Sequence, residues 1–301
     1  MSSPSEIESS GGNDDMLRLL NRYEEIVFDQ ISAVSRKYGL SVYPKVRVAD
    51  VIDLDALLID YSHKSFGLRA HFDFLIAREY QPHYAIEFDG PSHATAVQQE
   101  RDEKKDRLCK LAGLPILRIN SRHLAKDYGT LTLIAWIIET YELQCGFHEA
   151  QESGQIPADE IFDPFSLMEF EAGRITHPLW LSRNHRLEIR RLHEQGRLQD
   201  FASSGLIGEN FGGTMRGIEY IRVNATHGLS VETAMRPQQF PILFSDLLGE
   251  ILVIQLTSRI SAYLAGEASL EPLSRIDDRI ELIQANYRMR CSHFLSSPTL
   301  A

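Results

Sequence analysis

Two short segments of the chain alternate in character and between them place three acids, Asp73, Glu87 and Asp89, on odd-numbered positions. In Ala70–Ala77 (AHFDFLIA), His71, Asp73 and Leu75 fall on one face of an extended chain, with Phe72, Phe74 and Ile76 on the other. In Tyr84–Asp89 (YAIEFD), Ala85, Glu87 and Asp89 oppose Tyr84, Ile86 and Phe88. If the two segments pair as a hairpin, with Glu79–Pro82 as the turn between them, Asp73 and Glu87, both odd-numbered, can sit directly opposite, and three carboxylates would converge. Like charges so close repel, and no arginine stands out nearby as a partner. A hard divalent cation relieves that repulsion, and all-oxygen ligands select Mg²⁺, Mn²⁺ or Ca²⁺. Such a cation acidifies a water and offsets charge building on a phosphate.

The next residues extend the chemistry. Asp89-Gly90-Pro91-Ser92-His93 turns off the strand and brings His93 forward as a general base or a contact to a leaving oxygen. On the following helical stretch Asp102 and Lys105 share a face, and Arg118 in the next strand is placed to reach a phosphate. Plainer readings stand beside these. Acids on the wet face of a hairpin are common, and His93 could be an ordinary loop histidine. The pairs Glu100/Lys104 and Glu103/Arg107 at i,i+4 are what a merely solvated helix carries.

The elements that must hold these groups can be read from spacing. Met16–Lys37 has helical periodicity ended by Gly39, and Leu40–Ile52 suggests a strand. The two acidic strands follow, then a helix over Val97–Ala112 stopped by Gly113, a strand at Leu114–Ile119 and an apolar helix over Leu131–Leu143. Helix, three strands, helix, strand, helix predicts an α/β layer.

The order and spacing of these motifs resemble the PD-(D/E)XK nuclease superfamily, and within it the small bacterial domains related to very-short-patch repair endonucleases. The matching residues are Glu25, Asp73, Glu87-Phe88-Asp89-Gly90 with His93, Arg101-Asp102 with Lys105-Asp106, and Leu117-Arg118-Ile119, all within residues 16–125. The resemblance implies a restriction-endonuclease-like core, a mixed sheet flanked by helices. It implies Mg²⁺ (or Mn²⁺) held by Asp73, Glu87 and Asp89, with Glu25, or its neighbour Glu24 in its place, supporting the metal shell. Lys105 and Arg118 would stabilise developing charge, and DNA would be the substrate, in repair or defence against foreign DNA. The lysine usual in that superfamily is Asp89 here, a substitution the related branch shares; its role would pass to Lys105 rather than Lys104. An alternative is a catalytically idle copy of the fold that binds nucleic acid or protein.

The remaining sequence sets bounds. The 301 residues carry a net charge of −11, which argues against coating nucleic acid through bulk charge but not against a local basic patch. Three scattered cysteines argue against a disulfide framework and fit a reducing compartment. Residues 1–15 are polar, are expected to be disordered, and lack the pattern of a signal peptide. The apolar stretches Leu131–Ile138 and Ile251–Leu256 read as too short for a bilayer. A cytoplasmic protein without membrane association is expected.

The division expected is a nuclease-like domain over 16–145, a linker over 146–170, and a mostly helical α+β accessory domain over 171–301. That domain would have helices at Leu181–Glu194, Phe244–Leu264 and Pro272–Phe294, a strand at Ile218–Val223, and glycine-punctuated loops through Gly205–Gly217. In its first helix Arg183, Arg186 and Arg190 form a stripe opposite Leu181, Ile189 and Leu192. The stripe reads either as a phosphate-contacting face or as ordinary solvated surface. A protein partner or a second copy of the chain could engage this part.

Overall fold

Asn21 starts the first helix. Its side chain accepts hydrogen bonds from the Tyr23 and Glu24 amides, and Glu24 answers to the Asn21 amide, a reciprocal cap that opens α1 (Arg22–Ser35). The computed structural model describes residues 20–89, 95–124, 132–164 and 180–293. The expected disorder of residues 1–15 and the position of His93 lie outside those ranges.

After a left-handed Gly39, the chain forms β1 (Leu40–Arg47), a short helix α2 (Tyr61–Gly67), β2 (His71–Arg78) and β3 (Gln81–Phe88). Glu79 and Tyr80 join the last two strands with φ of 49° and 65°, the backbone of a two-residue hairpin turn, here without glycine or asparagine. Next come α3 (Ala96–Ala112), closed by left-handed Gly113, β4 (Ile116–Ile119) and α4 (Leu133–Glu152). The sheet runs β1-β2-β3-β4, antiparallel except that β4 lies parallel to β3. Both faces are covered. Phe74, Ile76, Tyr84, Ile86, Leu117 and Ile119 pack with α1 and α4, while Ala85 and Ile116 pack with Leu108 and Cys109 of α3; Phe72, expected beside Phe74 and Ile76, joins this second cluster instead.

The second half departs further from expectation. Helix α5 (Arg183–Glu194) is followed by β5 (Ser204–Glu209), β6 (Met215–Arg222) and β7 (His227–Met235). Then come α6 (Phe244–Leu264), the two-residue β8 (Glu271–Pro272), α7 (Leu273–Asn286) and β9 (Arg288–His293). These strands form a second sheet in the order β8-β7-β6-β5-β9, with every neighbouring pair antiparallel. Residues expected as glycine loops thus begin a hairpin. Gly205 and Gly217 sit where an added Cβ would meet Ile218 O at 2.5 Å and Leu252 Cδ1 at 2.6 Å, so these glycines permit close packing. The expected C-terminal helix stops at Asn286 and its last residues become an edge strand.

The boundary expected after Cys145 falls inside α4. Leu133 to Glu142 are all buried, because α4 packs between the first sheet and α6 of the second half. One core cluster runs from Val27, Phe74 and Trp136 to Phe240, Leu247 and Ile251, so the two halves share apolar packing. Helix α6, with 21 residues, is longer than the apolar stretch read from sequence. By length and composition it could cross a bilayer, and 56% of its most apolar window is buried here.

Candidate active site at the end of the first sheet

The β2–β3 ladder pairs Phe74 with Ile86 and goes no further. One step beyond, the side chains of Asp73 and Glu87 take over from the backbone. The Phe88 amide donates to Asp73 Oδ2 at 3.0 Å, and the Asp73 amide approaches Glu87 Oε1 at 3.3 Å. The two strands are pinned at their ends by these carboxylates, which a register shift at Ile76/Ala77 brings opposite each other.

Their face is not a wet one. Helix α3 lies over it, and Lys105 Nζ donates to Glu87 Oε2 at 2.6 Å and to the His71 carbonyl at 2.8 Å, 5.8 Å from the centre of the Phe72 ring. Glu87 is 5% exposed. Burial pushes its carboxyl up to about 7; Lys105 opposes the shift and Asp73 adds to it. Lys104, by contrast, turns to Glu100 at 2.7 Å.

Lys45, which no sequence motif marks, completes the group. It stands across from Asp73 in the β1–β2 register, between the pairs Pro44/Phe74 and Val46/Phe72. Its φ of 55° is unusual for a residue with a Cβ and stores strain of about 1–3 kcal/mol. From there its ammonium bridges Asp73 Oδ1 at 2.8 Å and Glu24 Oε1 at 2.7 Å. Glu24, rather than the exposed Glu25, is therefore the α1 residue tied to Asp73. Its other carboxylate oxygen caps the helix.

Asp89 departs from the expected trio. Its amide donates to the Ile119 carbonyl at 2.7 Å, and its carboxylate pairs with Arg118 at 3.4 Å and with Arg236. Among the described residues no three His, Cys, Asp or Glu side chains form a ready cation site. Arg118 is also not free to reach a phosphate as expected. Its guanidinium, 11% exposed, meets Asp106 at 2.7 Å and Asp102 at 3.1 Å besides Asp89, so its charge is spent on internal acids. These ion pairs hold it well above the usual arginine range, although burial alone would lower it.

The second half reaches this end of the sheet. Gln238 accepts from the Arg118 amide at 3.0 Å and donates to the Arg118 carbonyl at 3.1 Å, and the Ile116 amide donates to the Gln239 carbonyl at 3.0 Å. Arg236 comes from the same segment. The arginine stripe of α5 is divided: Arg190 pairs with Glu194 on the surface and Arg183 is exposed. Arg186 turns to Ser182 Oγ at 2.8 Å and to buried Glu250 at 3.6 Å, because that acid needs a counter-charge.

What the cluster can do follows from its groups. Asp73 and Glu87 offer hard oxygens at a place open enough that Asp73 is 22% exposed, and the Lys45 ammonium already sits as a cation between Asp73 and Glu24. Each of the four carboxylate oxygens of Asp73 and Glu87 already accepts a hydrogen bond, from Lys45, the Phe88 amide, the Asp73 amide and Lys105, so a hard cation would have to displace donors to bind here. No curated protein and no solved structure matches the chain. A family described as a protein of unknown function (DUF2726) matches residues 17–137, the stretch that holds Glu24, Lys45, Asp73, Glu87, Asp89, Lys105 and Arg118.

Proposed function

We propose that this protein is a metal-dependent phosphodiesterase acting on nucleic acid, DNA before RNA, built on a PD-(D/E)XK-type core. The observation that carries the reading is the meeting of Asp73, Glu87 and Lys105 where β2 and β3 part. In that reading Asp73 and Glu87 hold Mg²⁺ or Mn²⁺, which when bound supplies charge against the phosphate and an acidified water. Lys105 opposes the rise that burial gives the Glu87 carboxyl, and once Glu87 is given over to a metal the Lys105 ammonium would be left to meet the phosphate's growing charge. Asp89 anchors Arg118 and Arg236, and His93 would accept a proton or contact the leaving oxygen. Nicking of supercoiled plasmid by purified protein, with Mg²⁺, with Mn²⁺ and with EDTA, tests this.

A second reading, an idle nuclease-like fold that binds nucleic acid or a protein, draws on one observation: Lys45 and Arg236 already neutralise Asp73 and Asp89. Binding without cleavage under either metal would favour it.

A further inference from the structure

Beside Lys105 a cleft of about 690 Å³ opens between α2 and α3. We propose that this cleft seats single-stranded polynucleotide and leads its backbone toward the Glu87–Lys105 pair; the proposal rests on the nuclease reading of that pair.

The charge of the cleft runs against that of the whole chain. Arg69, Arg101, Lys104 and Lys105 line it with only two acids, Glu100 and Asp102, in a protein of net charge −11. Asp102 is turned away toward Arg118 at 3.1 Å. The Arg69 guanidinium is held in place by the Ser65 carbonyl at 3.1 Å and hydroxyl at 3.2 Å. Arg101 is exposed. Lys104 is paired with Glu100 and Lys105 with Glu87, so among the described residues Arg69 and Arg101 carry the cleft's unmatched positive charge, a local basic patch in an acidic protein to which a phosphate backbone is drawn.

Tyr61 decides the strand class. It opens α2 at the lip of the cleft with 86% of its surface exposed, an aromatic ring that the fold does not use for packing. A duplex keeps its base faces stacked inside, whereas an unpaired base can lie on a projecting ring. Cations along a groove with an aromatic platform at its mouth match the way proteins hold single strands.

The test is fluorescence anisotropy in EDTA with a labelled oligothymidylate and a duplex of equal length. Wild type should bind the single strand at least about tenfold more tightly than the duplex. Tyr61→Ala should weaken single-strand binding by roughly 5- to 150-fold, the worth of one stacked base, and Tyr61→Phe should restore it. Arg69→Gln with Arg101→Gln should lower the salt slope of log K by roughly 0.7 for each phosphate that is no longer neutralised. Tight duplex binding, or wild-type affinity in Tyr61→Ala, would overturn the proposal. Because binding is read without metal, single-strand binding that persists with no cleavage under Mg²⁺ or Mn²⁺ would reject the nuclease reading and leave the cleft assignment standing.

Discussion

Lys105 Nζ and Glu87 Oε2 lie 2.6 Å apart with 10% and 7% of their side chains exposed, so a helix lysine and a strand carboxylate neutralise each other inside the protein. Removing one partner of such a pair strands the other charge. Lys105→Met is expected to cost about 3–5 kcal/mol, less whatever Glu87 recovers by taking up a proton. Glu87→Gln with Lys105→Met should be milder than the sum of the single changes, with a coupling of about 0.5–3 kcal/mol. Urea unfolding of the four proteins measures this, and additive single effects would contradict the pairing.

Part of this arrangement was legible in the sequence because it depends on local rules. Alternation in AHFDFLIA and YAIEFD marks the two acidic strands. The Glu79–Tyr80 turn alone would set Asp73 against Ile86; the register shift at Ile76/Ala77, which no sequence signal marks, brings Glu87 opposite. Lys105 was legible as a candidate but not as a buried group, since its neighbours Glu100, Glu103, Lys104 and Arg107 give the stretch the look of a solvated helix. Lys45 was missed; only the β1 register reveals it. Arg236 lies 147 residues from Asp89, and no local pattern joins them. The second sheet was hidden for a different reason. Its strands carry glycines at 205, 208, 217 and 228, which read as loop residues until the close approach of neighbouring strands and helices explains them.

Arg118 tests the internal role of a residue that sequence placed at the substrate. With Asp89, Asp102 and Asp106 around it, Arg118→Met should destabilise the protein by about 3 kcal/mol or more. The exposed Arg101→Gln should stay within about 0.5 kcal/mol of wild type. Equal thermal melts for Arg118→Met and wild type would mean that the three acids do not depend on it.

At the far end of the first sheet, His83 Nε2 lies 3.2 Å from buried Glu142. Burial alone would lower the His83 pKa, but hydrogen bonding with Cys145 and Glu142 outweighs it and pushes the value up to about 9 from 6.5. A raised folded pKa contributes stability that is fully present below 6.5 and is lost as pH rises through about 9. The stability gap between wild type and His83→Gln should therefore shrink across that window. NMR titration of the ring checks the pKa, and a midpoint near 6.5 would refute the assignment.

The α5 arginines should separate by stability. Arg186→Gln removes a counter-charge from buried Glu250 and should lower the melting temperature. Arg183→Gln and Arg190→Gln alter only the surface and should leave it unchanged. A uniform response of all three would contradict the division of the stripe.

A metal held by Asp73 and Glu87 binds only the folded protein, so millimolar Mg²⁺ or Mn²⁺ should raise the melting temperature. In Asp73→Ala the shift should vanish. A wild-type melt that stays flat with either metal would remove the site.

Cleavage tests the central claim most directly. Wild-type protein should nick supercoiled plasmid with Mg²⁺ or Mn²⁺ and stop in EDTA, while Glu87→Gln, still folded, loses activity by orders of magnitude. Wild type that leaves plasmid and single-stranded DNA intact under both metals, or Glu87→Gln that cuts as wild type does, would contradict it.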